Sequence, residues 1–191
     1  MVPPPHPRRV ACVDVPALPL QLVLHKHPDW RDDPVVVVED DRPQARILWA
    51  NRPARRAHIR RGQRCQEAEA LASRLHAAVV PPAELERTGT ELLRLLLGYS
   101  PSVEPQAEPG LFFVDAGGLH ELFSGLDAWA HALHGALQQR GFVASVVVGF
   151  ARFPALAIAR ARAGGWRVVH EPADEQRLAA RAPIALLGPS P

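Results

Sequence analysis

The sequence predicts an α+β fold in which a β-sheet is layered with helices. Short, valine-rich apolar runs recur along the chain, at residues 34–38 and 144–148 most clearly. Between them apolar residues return at helical spacing, as in Leu126, Trp129, Ala130, Leu133 and Leu137. The two patterns follow one another as strand–helix–strand and then helix–strand–helix–strand–helix, an order that suits a sheet covered by helices.

Residues 9–14 form a short buried strand that ends in Asp14. Pro16 and Pro19 follow, but Leu18, Leu20, Leu22, Val23 and Leu24 make a helix, since proline is tolerated in a first turn. Residues 28–33 are a turn, and 34–38 are the clearest buried strand in the chain. Another strand covers 46–49. Residues 53–75 are small, basic and helix-prone, with a break at Gly62. Val79 and Val80 form a brief strand closed by Pro81 and Pro82. Leu85, Leu92 and Leu96 then share one helical stripe, ended by Gly98 and Pro101. A strand at 111–115, the helix from Leu126 with its stop at Gly141, and a strand at 144–148 come next. A helix at 155–163 and a last strand at 167–170 complete the pattern.

Composition narrows the function. With 191 residues the chain can bury a sizeable core, and 22 basic against 20 acidic residues give a net charge of only +2, which names no partner. Lys26 is the sole lysine, the other basic residues being arginine. Cys12 and Cys65 are far apart and make neither a disulfide framework nor a zinc module, which suits a reducing cytoplasm. The Pro-rich start has no apolar core of a signal peptide, and no apolar run approaches membrane-spanning length.

Charge is distributed unevenly. Residues 42–64 contain Arg42, Arg46, Arg52, Arg55, Arg56, Arg60, Arg61 and Arg64, with no Asp or Glu among them. Guanidinium groups suit bidentate phosphate contact and such a field attracts nucleic acid, although a partner-binding or merely solvated surface gives the same pattern. His131 and His134 stand three apart on a helix, yet they fall on its solvent flank with no third ligand in a committed spacing, so solvated histidines are expected. Cys65 is expected to be inert. The glycine pairs at 117–118 and 164–165 lack dinucleotide-loop spacing. Asp14 and Asp115 both end strands and, on neighbouring strands, could share a magnesium ion; capping a turn is the plainer role for each.

Several separated segments resemble one family. Val13-Asp14 before an apolar helix, and residues 50–62 with Asn51, Arg52, Pro53, Arg55 and Arg56, are similar to the palm start and fingers of the Y-family (UmuC/DinB-type) translesion DNA polymerases. Residues 100–105 followed by Phe112-Phe113-Val114-Asp115 resemble that family's central palm hairpin, and 145–151 its last palm segment. Within the family the likeness is to the ImuB branch, the polymerase-like subunit of a bacterial mutagenesis cassette. It implies a palm with a mixed or antiparallel sheet, and a small, mainly helical fingers subdomain. The implied division is a flexible tail at 1–8, palm at 9–41, Arg-rich fingers at 42–75, palm again at 76–181, and a thumb or linker starting at 182–191.

The same resemblance implies which residues matter. Asp14 matches the family's first carboxylate, Pro16 stands at its second and Pro19 at the aromatic gate against ribose. Counting back from Asp115 places Gly110 and Leu111 where an Asp-Glu pair is found, and counting forward from Glu104-Pro105 places Pro109 and Gly110 there; neither count gives a carboxylate, and Glu108 is the nearest acid, out of register. Arg55 keeps a fingers position, Arg52 replaces a tyrosine, and Arg162 and Gly165-Trp166 replace an acid and a Lys-Pro. The expectation is therefore no enzyme, no metal and no cofactor, with Asp14 vestigial. The chain would act as a scaffold in DNA-damage-induced mutagenic translesion synthesis. Its partners would be an error-prone C-family DNA polymerase, a RecA-like (ImuA-like) accessory protein, and the sliding clamp through a C-terminal region absent from these residues. Weak, sequence-independent DNA contact through Arg52, Arg55, Arg56, Arg60, Arg61 and Arg64 is expected. The alternatives are an active Mg-dependent polymerase that uses Asp14, Glu108 and Asp115, and a partner-binding module without DNA contact.

Overall fold

The computed structural model describes residues 9–118, 123–162 and 164–186. The expected 1–8 tail, Ala163 at the end of a predicted helix, and residues 187–191 of the expected thumb start lie outside the described residues. The chain divides into two compact units, Met1–Pro16 with Gly89–Pro191 and Ala17–Thr88.

The first unit is built on five strands: β1 (Val10–Asp14), β5 (Val103–Pro105), β6 (Leu111–Asp115), β7 (Ser145–Gly149) and β8 (Gly165–Val168), in the order β5-β6-β1-β7-β8. β1 is central and its Ala11, Cys12 and Val13 are fully buried, as expected of an apolar run with no polar face. It pairs antiparallel with β6 and β7, while β7 and β8 run parallel. The antiparallel β5–β6 pair is the hairpin that the resemblance implies. Helix α5 (Leu126–Gln139) packs against β7 and β8. Helix α6 (Arg152–Arg162) packs on β1 and β7, and α7 (Pro172–Ala179) packs on α6. Alternation along β1 sends Val10 and Cys12 into one cluster with Phe113, Val147, Ala155, Ile158 and Ala159.

The second unit has its own three-stranded sheet, with β2 (Val35–Val38) between β3 (Ile47–Ala50) and β4 (His76–Ala78). Helix α1 (Leu18–Lys26) covers one face, where Leu20 and Val23 meet Val35 and Val37. On the other face Val36 and Val38 meet Ile47, Ala54, Ile59, Cys65 and Ala68. Two apolar layers explain an uninterrupted valine run where a one-sided strand would alternate. The short helices α2 (Arg52–Arg56) and α3 (Cys65–Glu69) carry the basic segment. Helix α4 (Pro82–Leu97) runs through the division at residue 88.

Two strands lie a few residues earlier than their valines suggest. β4 is His76–Ala78, not Val79-Val80, because parallel pairing sets Val35–Val37 against His76, Ala77 and Ala78 and leaves Val79 exposed. β8 begins at Gly165, which lies opposite Ser145 of β7. Helix α7 has no apolar stripe to announce it. Only Pro172 at its start and acids in its first turn mark it.

One residue of α7 fixes a turn of the first unit. Glu175 is 3% exposed, and its Oε1 accepts hydrogen bonds from the backbone N–H groups of Phe150 (2.8 Å) and Ala151 (3.2 Å), which lead into α6. A side chain at Gly149 would come within 2.0 Å of that oxygen, so the close approach requires glycine. Glu175→Ala leaves both N–H groups without their acceptor and is expected to cost about 2–3 kcal/mol of unfolding free energy. Glu175→Gln keeps a carbonyl acceptor and should lose less; urea denaturation followed by circular dichroism measures both.

Candidate functional site

The register of β1 decides which acids can act together. Asp14 lies opposite Leu111 on β6 and Ser145 on β7, whereas Asp115 lies opposite Val10. Four residues of extended strand, roughly 13 Å, therefore separate the positions of the two aspartates along the sheet. The shared magnesium site considered for Asp14 and Asp115 is not formed, because antiparallel pairing sends the two strand ends in opposite directions. Asp115 instead accepts a hydrogen bond from the Gly117 backbone N–H at 2.9 Å, a turn-capping role. It lines a cavity of about 320 Å³ with Arg9, Phe150 and Arg152 at the far end of the sheet.

The Asp14 end gathers a different set. Asp14 is 4% exposed, and burial pushes its carboxyl up to about 6; the Arg160 guanidinium opposes that shift and the Glu108 carboxylate adds to it. Arg160, on α6, is ion-paired with Glu108 and donates a second hydrogen bond to the Leu186 carbonyl at 3.1 Å. Burial also raises the Cys12 thiol, two residues along the same face, so it stays protonated. Glu108 is thus at the Asp14 end, as its sequence position suggested, although held by Arg160. Sequence reasoning did not single out Arg160; its place on the apolar stripe of α6 was the available signal.

The other positions are equally specific. Gly110 adopts φ +91°, which glycine alone takes without strain, and its carbonyl accepts from the Val15 N–H at 2.9 Å. Leu111 is buried in the sheet, and Pro19 is buried in the first turn of α1. Two magnesium ions, which the resemblance implies, need several carboxylates around them. Among the described residues no group of three or more His, Cys, Asp or Glu is placed to hold a metal ion. The residues present do not fit that pair of ions.

In the second unit, all six candidate arginines, Arg52, Arg55, Arg56, Arg60, Arg61 and Arg64, are exposed. Their segment hangs on one buried side chain. Asn51 Oδ1 accepts from the N–H groups of Ala54 (2.9 Å) and Val35 (3.0 Å), and its Nδ2 donates to the Asp33 carbonyl at 2.8 Å. It caps α2 and ties it to β2 at once. Arg55 donates to the Ala50 carbonyl at 2.7 Å, and Arg61 lies over the Trp49 ring at 5.3 Å. Among the described residues Arg52, Arg55, Arg56, Arg60 and Arg64 have no ion-pair partner. Cys65 is buried and its thiol is raised by burial, as an inert cysteine requires.

His134 departs from expectation. It is 8% exposed rather than solvated, because α5 is held against both β7 and β8 and buries a wider arc than its leucine stripe. Burial, then the nearby His131 charge, lowers its proton affinity.

The raised Asp14 has a sign that can be measured. A carboxyl at about 6 in the fold and near 3.8 in the open chain binds its proton more tightly when folded. Its ionisation therefore costs stability above about pH 6, and the cost vanishes as pH falls toward 4. Asp14→Asn is expected to raise the unfolding free energy near neutral pH by about 3 kcal/mol, and to remove the gain shown by the native chain on acidification from pH 6 to 4. Denaturant titrations across that range check it.

Comparison with solved structures agrees with the fold. DinB from Sulfolobus solfataricus matches with a TM-score of 0.71 at 18% identity, over 84% of this chain and 48% of that one. The insertion ternary complex of Dbh DNA polymerase gives 0.70 at 19% identity over 85% and 48%, and its post-insertion binary complex 0.74 at 19% over 88% and 50%. The chain spans about half the length of each of these structures. No curated protein matches it by sequence. The family model described as impB/mucB/samB matches residues 13–160, from the end of β1 to Arg160. These matches overturn the expectation of a non-enzyme, because the chain shares its family match and its fold with proteins that include the Dbh DNA polymerase. Its fold and the extent of that match agree: the chain belongs to the impB/mucB/samB family.

Proposed function

We propose that this chain is the palm and fingers portion of an ImuB-like protein that works in DNA-damage-induced translesion synthesis. It holds DNA loosely through the Arg-rich face of the Ala17–Thr88 unit and serves as a hub for other components. The carrying observation is the exposed set Arg52, Arg55, Arg56, Arg60 and Arg64, without ion-pair partners among the described residues and raised on a segment that Asn51 anchors to β2. Guanidinium groups at an exposed surface without an acid to pair with exchange solvent for phosphate oxygens, Arg55 through the N–H groups that its bond to the Ala50 carbonyl leaves over, and sequence-independent backbone contact needs nothing more. The partners that fit this reading are an error-prone C-family DNA polymerase, a RecA-like accessory protein and a sliding clamp, met in the cytoplasm at the nucleoid.

DNA affinity measured against salt tests the reading. Arg52→Ala/Arg55→Ala/Arg56→Ala is expected to weaken binding and lower the salt slope by about 0.7–0.9 for each phosphate that is no longer neutralised. Affinity should be the same on unrelated sequences. An unchanged slope, or no binding by the native chain at low salt, would assign these arginines to a protein partner and reject DNA contact.

A further inference from the structure

The family's chemistry would place divalent cations at the Asp14 end, and the residues there are arranged around a different cation. Asp14 and Glu108 bring two carboxylates to one end of the sheet, and Asp14 is 4% exposed. Charges in such a place need a nearby opposite charge. Arg160 supplies one: its side chain is 12% exposed, it is ion-paired with Glu108, and its charge favours the ionised form of Asp14. It is also braced, since another of its N–H groups reaches the Leu186 carbonyl. A metal ion beside Asp14 would meet a guanidinium that cannot lose its charge, and would find Glu108 already engaged.

We propose that Arg160 is the built-in counter-ion of Asp14 and Glu108, taking the place of a divalent metal and holding this end of the palm assembled without one. Arg160 is a positioning residue in this role, and its charge is the property that matters. The side chain comes from α6, which packs on β1 and sets Ile158 and Ala159 in one cluster with Cys12.

Manganese binding followed by electron paramagnetic resonance, with thermal unfolding in parallel, tests this on the 191-residue chain. The native chain is expected to bind no Mn²⁺ saturably, and its midpoint should stay within about 1 °C when Mg²⁺ or Mn²⁺ is added. Arg160→Gln should gain one Mn²⁺ site and a midpoint rise of about 3 °C or more with the ion. Adding Asp14→Asn to that variant should abolish both. Arg160→Lys, which keeps the charge, should behave as the native chain, an outcome that a purely packing role for Arg160 does not predict. Should Arg160→Gln fold only when Mn²⁺ is present, that too supports the proposal. Should it fold under neither condition, the native and Arg160→Lys arms decide. Saturable Mn²⁺ binding by the native chain that disappears in Asp14→Asn would overturn the proposal. So would a folded Arg160→Gln that binds no metal, or an Arg160→Lys that binds it.

Discussion

The antiparallel pairing of β1 with both β6 and β7 is the constraint on which the rest of the first unit depends. It fixes which side chains share an end of the sheet, and so which charges act on one another. With Asp14 opposite Leu111 and Ser145, the acidic end is closed by the loop before β6 and by the later part of α6. Glu108 and Arg160 arrive from those two places. Had β6 run parallel to β1, Asp14 and Asp115 would have ended at one edge, and a two-carboxylate metal site would have been the natural reading. The direction of one strand separates the two chemistries.

Burial gives the resulting cluster its character. A carboxylate in solution needs no particular neighbour, but Asp14 is enclosed on the α6 face of the sheet and its ionisation is opposed. The Glu108–Arg160 pair then matters more than a surface ion pair, since Arg160 is almost covered. The second unit shows the opposite regime. Its candidate arginines are exposed, the buried polar group beneath them is the neutral Asn51, and all the hydrogen bonds of that side chain are spent on backbone. A satisfied polar anchor beneath an exposed charged surface is a stable way to hold these arginines in place.

Membership of the impB/mucB/samB family sets the scaffold, while the site is made by particular residues. Pro16 and Gly110 stand at positions that the resemblance reserves for acids on either count, with Leu111 or Pro109 beside Gly110, and Gly110 takes a backbone conformation unsuited to any side chain. Those features explain why counting residues led toward a non-enzyme. The correction comes from the family match across residues 13–160 together with the fold shared with polymerase structures, neither of which depends on a few side chains alone.

The sequence by itself determined the strands and helices whose periodicity reflects burial: β1, β2, β3, β6 and β7, and helices α1, α4, α5 and α6 are legible because one or both faces must be apolar. It also determined the arginine field, since exposed charge needs no partner to be recognised. Tertiary structure decided what depends on distant pairing. β4 and β8 start where their neighbours' registers allow, not at their most β-prone residues. His134 is buried because two strands press on α5, and α7 exists because Glu175 and the α6 surface hold a helix with no stripe of its own. Arg160 belongs to the same class. Its partners are 52 residues away at Glu108 and 26 away at Leu186, and only folding brings them into reach. Local pattern encodes what a segment does with its own surface, but a charge cluster is a property of chain ends and loops that sequence distance keeps apart.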